Sequence, residues 1–461
     1  MIDLIIRGGL VVLPEHSYET DLAVDRGRIA ALGKASSLPK ARRTIDAQGC
    51  YVLPGAVDPH VHIHWPFLNA TTADDYADAT TAAAIGGTTT IIDFAHPKMG
   101  ATPLKRVASR RAQAEGKAVI DFAFHCVLTE GSPQTLGEMD ALVAEGVTSF
   151  KVYMAYSRRG IMADDAVLLS VMQRAALLGA LVCVHAENGT VADASEAQFL
   201  ASGRTGAADF PQHKPNYVEA EAVSRAIFWA RQAGARLCIV HLSTAEGLDL
   251  VRNAQREGVQ VFAETCPQYL LLDDRVYQRP ADGHRFICSP PIRSPADGEA
   301  LWEGIADGVI SIIGTDHCAF TAGQKDGGRG NFVSVPNGLP GVETRLPLLF
   351  SEGVAKGRIS IADLVRITSL NPARVHGLYP RKGSLGPGSD ADIVLVDPKA
   401  RWTLLADKLH MAVDWSPYEG LELQGAPVMT IARGKVVVEQ GEFVGAEGWG
   451  RFVRRIPEGA T

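Results

Sequence analysis

Histidines 60, 62 and 64 alternate in the stretch GAVDPHVHIHWPF, which begins at Gly55. Side chains two apart on a strand share a face, so His60 and His62 point the same way and can grip one ion through their ring nitrogens. More residues with ligand or proton-transfer chemistry fall at the ends of β-rich runs: Lys151 in SFKVYM, His185 in VCVHAE, His241 in CIVHLS and Asp316 in IIGTD. One histidine at a strand end is more often hydrogen-bonded structure than a ligand. Histidines and an aspartate in the joint order HxH, H, H, D are hard to obtain from packing needs alone. His64 has the parity of His62 but lies two residues further out, where it is expected to line the entrance.

Such groups can act together only if the chain brings the strand ends to one place. From Leu53 to about Lys382, β-rich runs starting at Gly55, Thr88, Ala118, Gly146, Ala180, Ala235, Gly258 and Ile310 alternate with alanine-rich amphipathic segments such as DDYADATTAAAIGG and DAVLLSVMQRAALLG. That alternation is the signature of parallel βαβ units, and eight of them suggest an α/β fold of the TIM (β/α)8 barrel type, with its chemistry at the C-terminal ends of the strands. The flanks read differently: LIIRGGLVV, DADIVLVDP and GAPVMTIARGKVVVEQGEFV are strand-length runs between Gly, Asp and Pro turns. The expectation is a β-sandwich domain from residues 1–52 and 383–445, a catalytic barrel from 53–382 and an extension from 446–461. The extension, basic and partly aromatic, is read either as a surface segment or as a subunit contact.

Composition removes several other classes of function. Apolar residues make up 46% of the 461 and charged residues 21%, enough to fill a large core. The net charge of -7 comes without a basic run that could track phosphates, so nucleic acid is not an expected partner. No apolar run approaches the ~18 residues of a membrane span, and MIDLIIRGGLVVLPEHS lacks the basic segment of a secretory leader; a cytoplasmic protein is expected. Seven cysteines without CxxC pairs argue against a disulfide framework or a thiolate zinc site.

The motifs SFKVYMAY from Ser149, VHAENG from Val184, YVEAEA from Tyr217, ETCPQYLLL from Glu264, CSPPIR from Cys288, GTDHCAF from Gly314 and PNGLPGVE from Pro336 resemble the hydantoinase and dihydropyrimidinase family of the amidohydrolase superfamily. GSLGPGSDADIVLVDP from Gly383 and HMAVDWSPYEG from His410 extend the resemblance into the C-terminal region. By that resemblance His60, His62, Lys151 and Asp316 hold one divalent ion, and Lys151, His185 and His241 a second; zinc is expected, with manganese or cobalt compatible. An ammonium at Lys151 would leave such a centre at a net charge of about +3, whereas an N-carboxylated Lys151 brings it to about +1.

The resemblance further implies ring opening of a cyclic ureide or imide to an N-carbamoyl amino acid by a metal-bridging hydroxide, with Asp316 as general base and acid and Tyr156 donating to the oxyanion. Ser289 and Asn337 match positions whose main-chain groups hold the ring. His64, Trp65, Phe67, Tyr153 and Arg158 are the expected gate, and the entrance stretches HIHWPFLNATT and YSRRGIM depart from common members. Cys318, next to His317, reads as structural, because the metal site makes a thiol nucleophile redundant. The family resemblance also implies a homotetramer or homodimer. Dihydroorotase and allantoinase fit less well: IHWP lacks the arginine of the former and the Asn-Glu-Pro stretch of the latter. A non-catalytic scaffold of the dihydropyrimidinase-related kind is disfavoured by a complete ligand set.

Overall fold

A computed structural model of the chain, describing residues 1–14, 16–68 and 70–459, turns the β-rich runs into strands. Five come before the barrel: β1 (Ile2–Val12), β2 (Ser17–Asp25), β3 (Arg28–Gly33), β4 (Ala41–Asp46) and β5 (Tyr51–Pro54). Then follow β6 (Ala56–Val61), β7 (Thr88–Ala95), β8 (Asp121–Val127), β9 (Ser149–Tyr153), β10 (Leu181–His185), β11 (Arg236–Ile239), β12 (Val261–Thr265) and β13 (Ile310–Ile313), hydrogen-bonded to one another in chain order and all parallel. Nearly every residue of these eight is buried, which is why they read as continuous apolar, β-branched runs rather than alternating ones. Helices at Tyr76–Ile85, Pro103–Ala114, Pro133–Ala144, Asp165–Leu177, Asn216–Ala233, Ala245–Arg256 and Pro295–Ala306 lie between the strands. Asp75, Thr102, Ser132, Asp164, Thr244 and Ser294 each cap one by accepting a backbone N–H, at about 1 kcal/mol apiece.

The ring closes between β13 and β6. His62 N–H donates to the His317 carbonyl at 2.7 Å. The fully buried Arg345 guanidinium donates to the carbonyls of Val57 in β6 at 2.9 Å and Ile313 in β13 at 2.8 Å, and to Thr88 Oγ1 at 3.2 Å. One side chain thus satisfies acceptors on three neighbouring strands at the seam.

After the barrel come β14 (Ile393–Thr403), β15 (Glu422–Ala432), β16 (Lys435–Glu439) and β17 (Glu442–Phe443). They join the first five strands in one nine-stranded sheet of order β17-β16-β15-β14-β5-β1-β2-β3, with β4 also paired to β1. Both ends of the chain therefore build the same sheet, around a core that includes Leu4, Val24, Val52, Ile393 and Ile431. A buried ion cluster marks its junction with the barrel: Lys382 Nζ lies 2.6 Å from both Asp121 and Asp392, and Arg433 Nε lies 3.0 Å from Asp121. The terminal segment runs across the floor of the barrel, exchanging backbone hydrogen bonds with Phe122 and donating to the carbonyls of Gly146, Gly377 and Gly179. No helix among the described residues is long and apolar enough to cross a membrane.

Candidate metal centre and its pocket

At the C-terminal end of the barrel, β6 and the residues after it deliver His60 and His62, β9 Lys151, β10 His185, and the turns after β11 and β13 His241 and Asp316. All six line one pocket together with Trp65, Phe67, Tyr153, Tyr156, Ser289, Cys318, Asn337 and Gly338. The six ligand candidates, from five strands, therefore share one pocket. Three of the pocket residues, Tyr156 (φ 72), His241 (φ 42) and Asp316 (φ 49), sit in the left-handed region. That conformation disfavours side chains other than Gly and Asn, and it persists where surrounding structure enforces it.

Asp316 Oδ1 lies 3.1 Å from Nε2 of both His60 and His62. Burial alone would raise this carboxyl, but the two imidazoles hold it well below the usual carboxylate range, so it stays ionised. Burial likewise disfavours charge on His60, yet the Glu264 and Asp316 carboxylates outweigh it and lift the ring to about 9. His62 moves the other way, because burial dominates there. On the opposite side, His185 Nδ1 and His241 Nε2 face each other at 2.9 Å, and burial holds His185 down at about 4 and His241 well below its ordinary value. Both rings are thus neutral and offer lone pairs.

Lys151 Nζ has no hydrogen-bond or ion-pair partner among the described residues and lies 5.2 Å from the Phe94 ring centre and 5.1 Å from that of Tyr153. Burial pulls its pKa down, which favours the neutral amine. His60 Nε2 and His241 Nδ1 are buried without a well-aligned hydrogen bond. Buried polar groups without partners are costly, and this set of unspent imidazole, amine and carboxylate donors fits divalent ions. His60, His62 and Asp316 by themselves place three ligand atoms within 4.8 Å of one another, one of several such groups among the described residues.

Sequence reasoning missed the residues that aim these ligands. Glu264 Oε1 accepts from His60 Nδ1 at 2.6 Å, turning Nε2 toward Asp316. Glu187 Oε2 lies 2.8 Å from His185 Nε2, leaving Nδ1 for the pocket, and takes a further contact from Lys214 Nζ at 2.9 Å. Lys214 also reaches Ser289 Oγ at 2.5 Å. His96 Nε2 contacts His62 Nδ1 at 3.0 Å and stacks on Trp65 at 3.9 Å between ring centres. Glu187 and Glu264 stood inside VHAENG and ETCPQYLLL; carboxylates within two residues of a strand-end histidine, or on a neighbouring strand end, were the available signal.

Of the expected gate, Trp65, Phe67 and Tyr153 line the pocket, and Arg158 lines the outer cavity beyond it while pairing with Glu196. His64 does not line either one. It is exposed, because its φ of 43 turns the chain after His62 and ends the strand alternation on which its placement relied. Ser289 and Asn337 are in the pocket, with Asn337 also bordering the outer cavity. Cys318 Sγ bonds to the Asn337 carbonyl at 3.6 Å, and burial drives its thiol well above the ordinary value, so it is no ready nucleophile. Gly338, at φ 147, lets that loop approach: a Cβ there would meet the Cys318 carbonyl oxygen at 2.3 Å.

The model of the Amidohydrolase family matches residues 51–437. D-hydantoinase of Geobacillus stearothermophilus is 42% identical over 459 residues, 99% of this chain and 97% of that protein. D-phenylhydantoinase of Escherichia coli O1:K1 is 43% identical over 459 residues, covering 98% of each. The crystal structure of dihydropyrimidinase from Brevibacillus agri NCHU1002 superposes with a TM-score of 0.97 at 41% identity and 99% coverage of both chains. The chain belongs to the hydantoinase and dihydropyrimidinase family of amidohydrolases. The match to these relatives covers barrel and terminal sheet alike, and the amidohydrolase family implies use of a binuclear metal centre.

Proposed function

We propose that this chain hydrolyses cyclic ureides and imides, opening 5-substituted hydantoins or dihydropyrimidines to N-carbamoyl amino acids. The observation that carries the reading is the convergence of His60, His62, Lys151, His185, His241 and Asp316 on one pocket in a chain related over its full length to hydantoinases. His60, His62, Lys151 and Asp316 would hold one divalent ion, and Lys151, His185 and His241 the other, zinc being the metal that suits them best. Lys151 would serve both after its neutral amine adds carbon dioxide, forming an N–C bond and releasing a proton. The bound ions would acidify water and polarise the scissile carbonyl.

The remaining work falls to side chains. Asp316, ionised in its buried setting, takes a proton as water adds to the carbonyl carbon and returns it to the ring nitrogen as the C–N bond breaks. Burial raises the Tyr156 hydroxyl, so it remains protonated and able to donate to the carbonyl oxygen as charge develops there. Ser289 and Asn337 border the space the ring would fill. This reading also takes residues 53–382 as the catalytic barrel, 1–52 and 383–445 as the accompanying domain and 446–461 as an extension, in a cytoplasmic homotetramer or homodimer.

The test is turnover of dihydrouracil, 5-phenylhydantoin and each enantiomer of a 5-alkyl hydantoin by protein supplied with zinc or manganese and bicarbonate. Ring opening of at least one, lost on chelation and in His60→Ala together with metal content, is expected. Protein that carries both metals and opens none of the rings overturns the reading.

A further inference from the structure

Beside the metal centre lies a cavity of about 180 Å3, bordered by Tyr156 and Asn337, which also line the catalytic pocket. Its remaining walls place several charged side chains close together: Arg158, Arg159, Lys214, Asp193 and Glu196. All but one of them are engaged. Arg158 pairs with Glu196, Ser157 donates to Asp193, and Lys214 pairs with Glu187 at 2.9 Å.

Arg159 is the exception. Its guanidinium carbon lies 3.7 Å from the Phe67 ring centre and 4.8 Å from that of Tyr156, so it is stacked against two residues of the catalytic pocket. Its side chain makes no hydrogen bond or ion pair among the described residues, and Nη1 is buried without a partner. Stacking occupies the faces of the guanidinium plane and leaves its edge, where the N–H groups lie, for a planar acceptor. A half-buried cation that makes no ion pair, beside the reacting site, is free to pair with an anionic group that enters the site.

Resting on the ring-opening reading, we infer that the preferred substrates are cyclic ureides or imides whose exocyclic substituent ends in a carboxylate, and that Arg159 pairs with that carboxylate. The scissile carbonyl faces the His60–Asp316 side while the substituent extends past Tyr156 into the side cavity. Arg158 and Lys214, already paired with Glu196 and Glu187, do not compete with Arg159 for that carboxylate.

The test compares kcat/KM for 5-(2-carboxyethyl)hydantoin with that for its carboxamide isostere, in the metal-loaded wild type and in Arg159→Met and Arg159→Lys. The ratio cancels effects on metal loading or folding that both substrates share. The wild type should favour the carboxylate by about tenfold or more, chiefly through KM, the scale of a charge-assisted bidentate contact. In Arg159→Met the ratio should fall to about one, while Arg159→Lys, which keeps the charge but not the fork, should retain part of it. A wild-type ratio near one, or an unchanged ratio in Arg159→Met, overturns the inference. Opening of 5-phenylhydantoin with no carboxylate preference refutes this inference alone, whereas failure to open any ring refutes the ring-opening reading and this one with it.

Discussion

Glu264 and Glu187 decide which nitrogen each imidazole presents. A histidine hydrogen-bonded through one nitrogen to a carboxylate keeps the other nitrogen's lone pair for a metal and becomes a stronger donor. His60 is held this way from β12, and His185 from two residues further along its own strand end. On the proposed ligand set, Glu264→Gln should keep the packing and lose the charge. Metal affinity is then expected to fall about 10- to 100-fold, the usual cost of such a loss, read by titration against a competing chelator. Wild-type affinity in that variant would reduce Glu264 to a structural acceptor for His60 and for the His241 N–H, 3.3 Å away. His60 and Glu264 are 204 positions apart. A pair that distant meets only once the barrel closes, so spacing could not match Glu264 to His60, whereas Glu187 stood two residues from its own histidine.

At the scale of elements, the strands were legible because each buried parallel strand needs the same β-branched composition on both faces, and the helices because alanine-rich amphipathic segments such as DDYADATTAAAIGG and DAVLLSVMQRAALLG fall between them. The join between barrel and terminal sheet was not legible. It rests on Lys382, 1% exposed, set among nearby Asp390 and Asp392 and the carboxylate of Asp121, 261 positions away. Burial would discharge Lys382, but the three carboxylates raise it instead, and burial at Asp121 is likewise overcome by Lys382 and Arg433, which lower that carboxyl. The Asp121 contribution is therefore fully present above its unfolded pKa of about 3.9 and lost as pH falls from there through its lower folded pKa; the Lys382 contribution is lost only in strong alkali. Lys382→Met strands buried carboxylates and should cost about 3–5 kcal/mol near neutrality. Because the stranded carboxylates can take up protons, the deficit should shrink toward pH 4. Denaturant midpoints of wild type and variant at pH 7 and pH 4.5 measure it, and a pH-independent deficit would point to lost packing instead.

For the whole molecule, the two ends of the barrel divide the labour. The mouth gathers strained, unpartnered polar groups, and the floor is closed by the chain's own last residues. Arg455 reaches inside, donating to Ser149 Oγ at 2.7 Å and to the Phe124 carbonyl, and Val453 N–H donates to the Phe122 carbonyl at 2.8 Å. A floor of this kind serves stability, and the mouth serves chemistry. Truncation after Gly450 should therefore lower the thermal midpoint markedly, and Arg455→Met should lower it less, by the loss of two buried hydrogen bonds from a charged donor, about 1.5–3 kcal/mol each, with Ser149 Oγ still held by His125 Nδ1 at 2.6 Å. Metal content per folded chain should not change in Arg455→Met, because every proposed ligand lies at the opposite end of the strands. Circular dichroism melts beside metal analysis of the folded fraction separate the two ends. Metal loss without a lowered midpoint would mean that the floor and the mouth are coupled through β9, where Ser149 and Lys151 stand two residues apart on the same face.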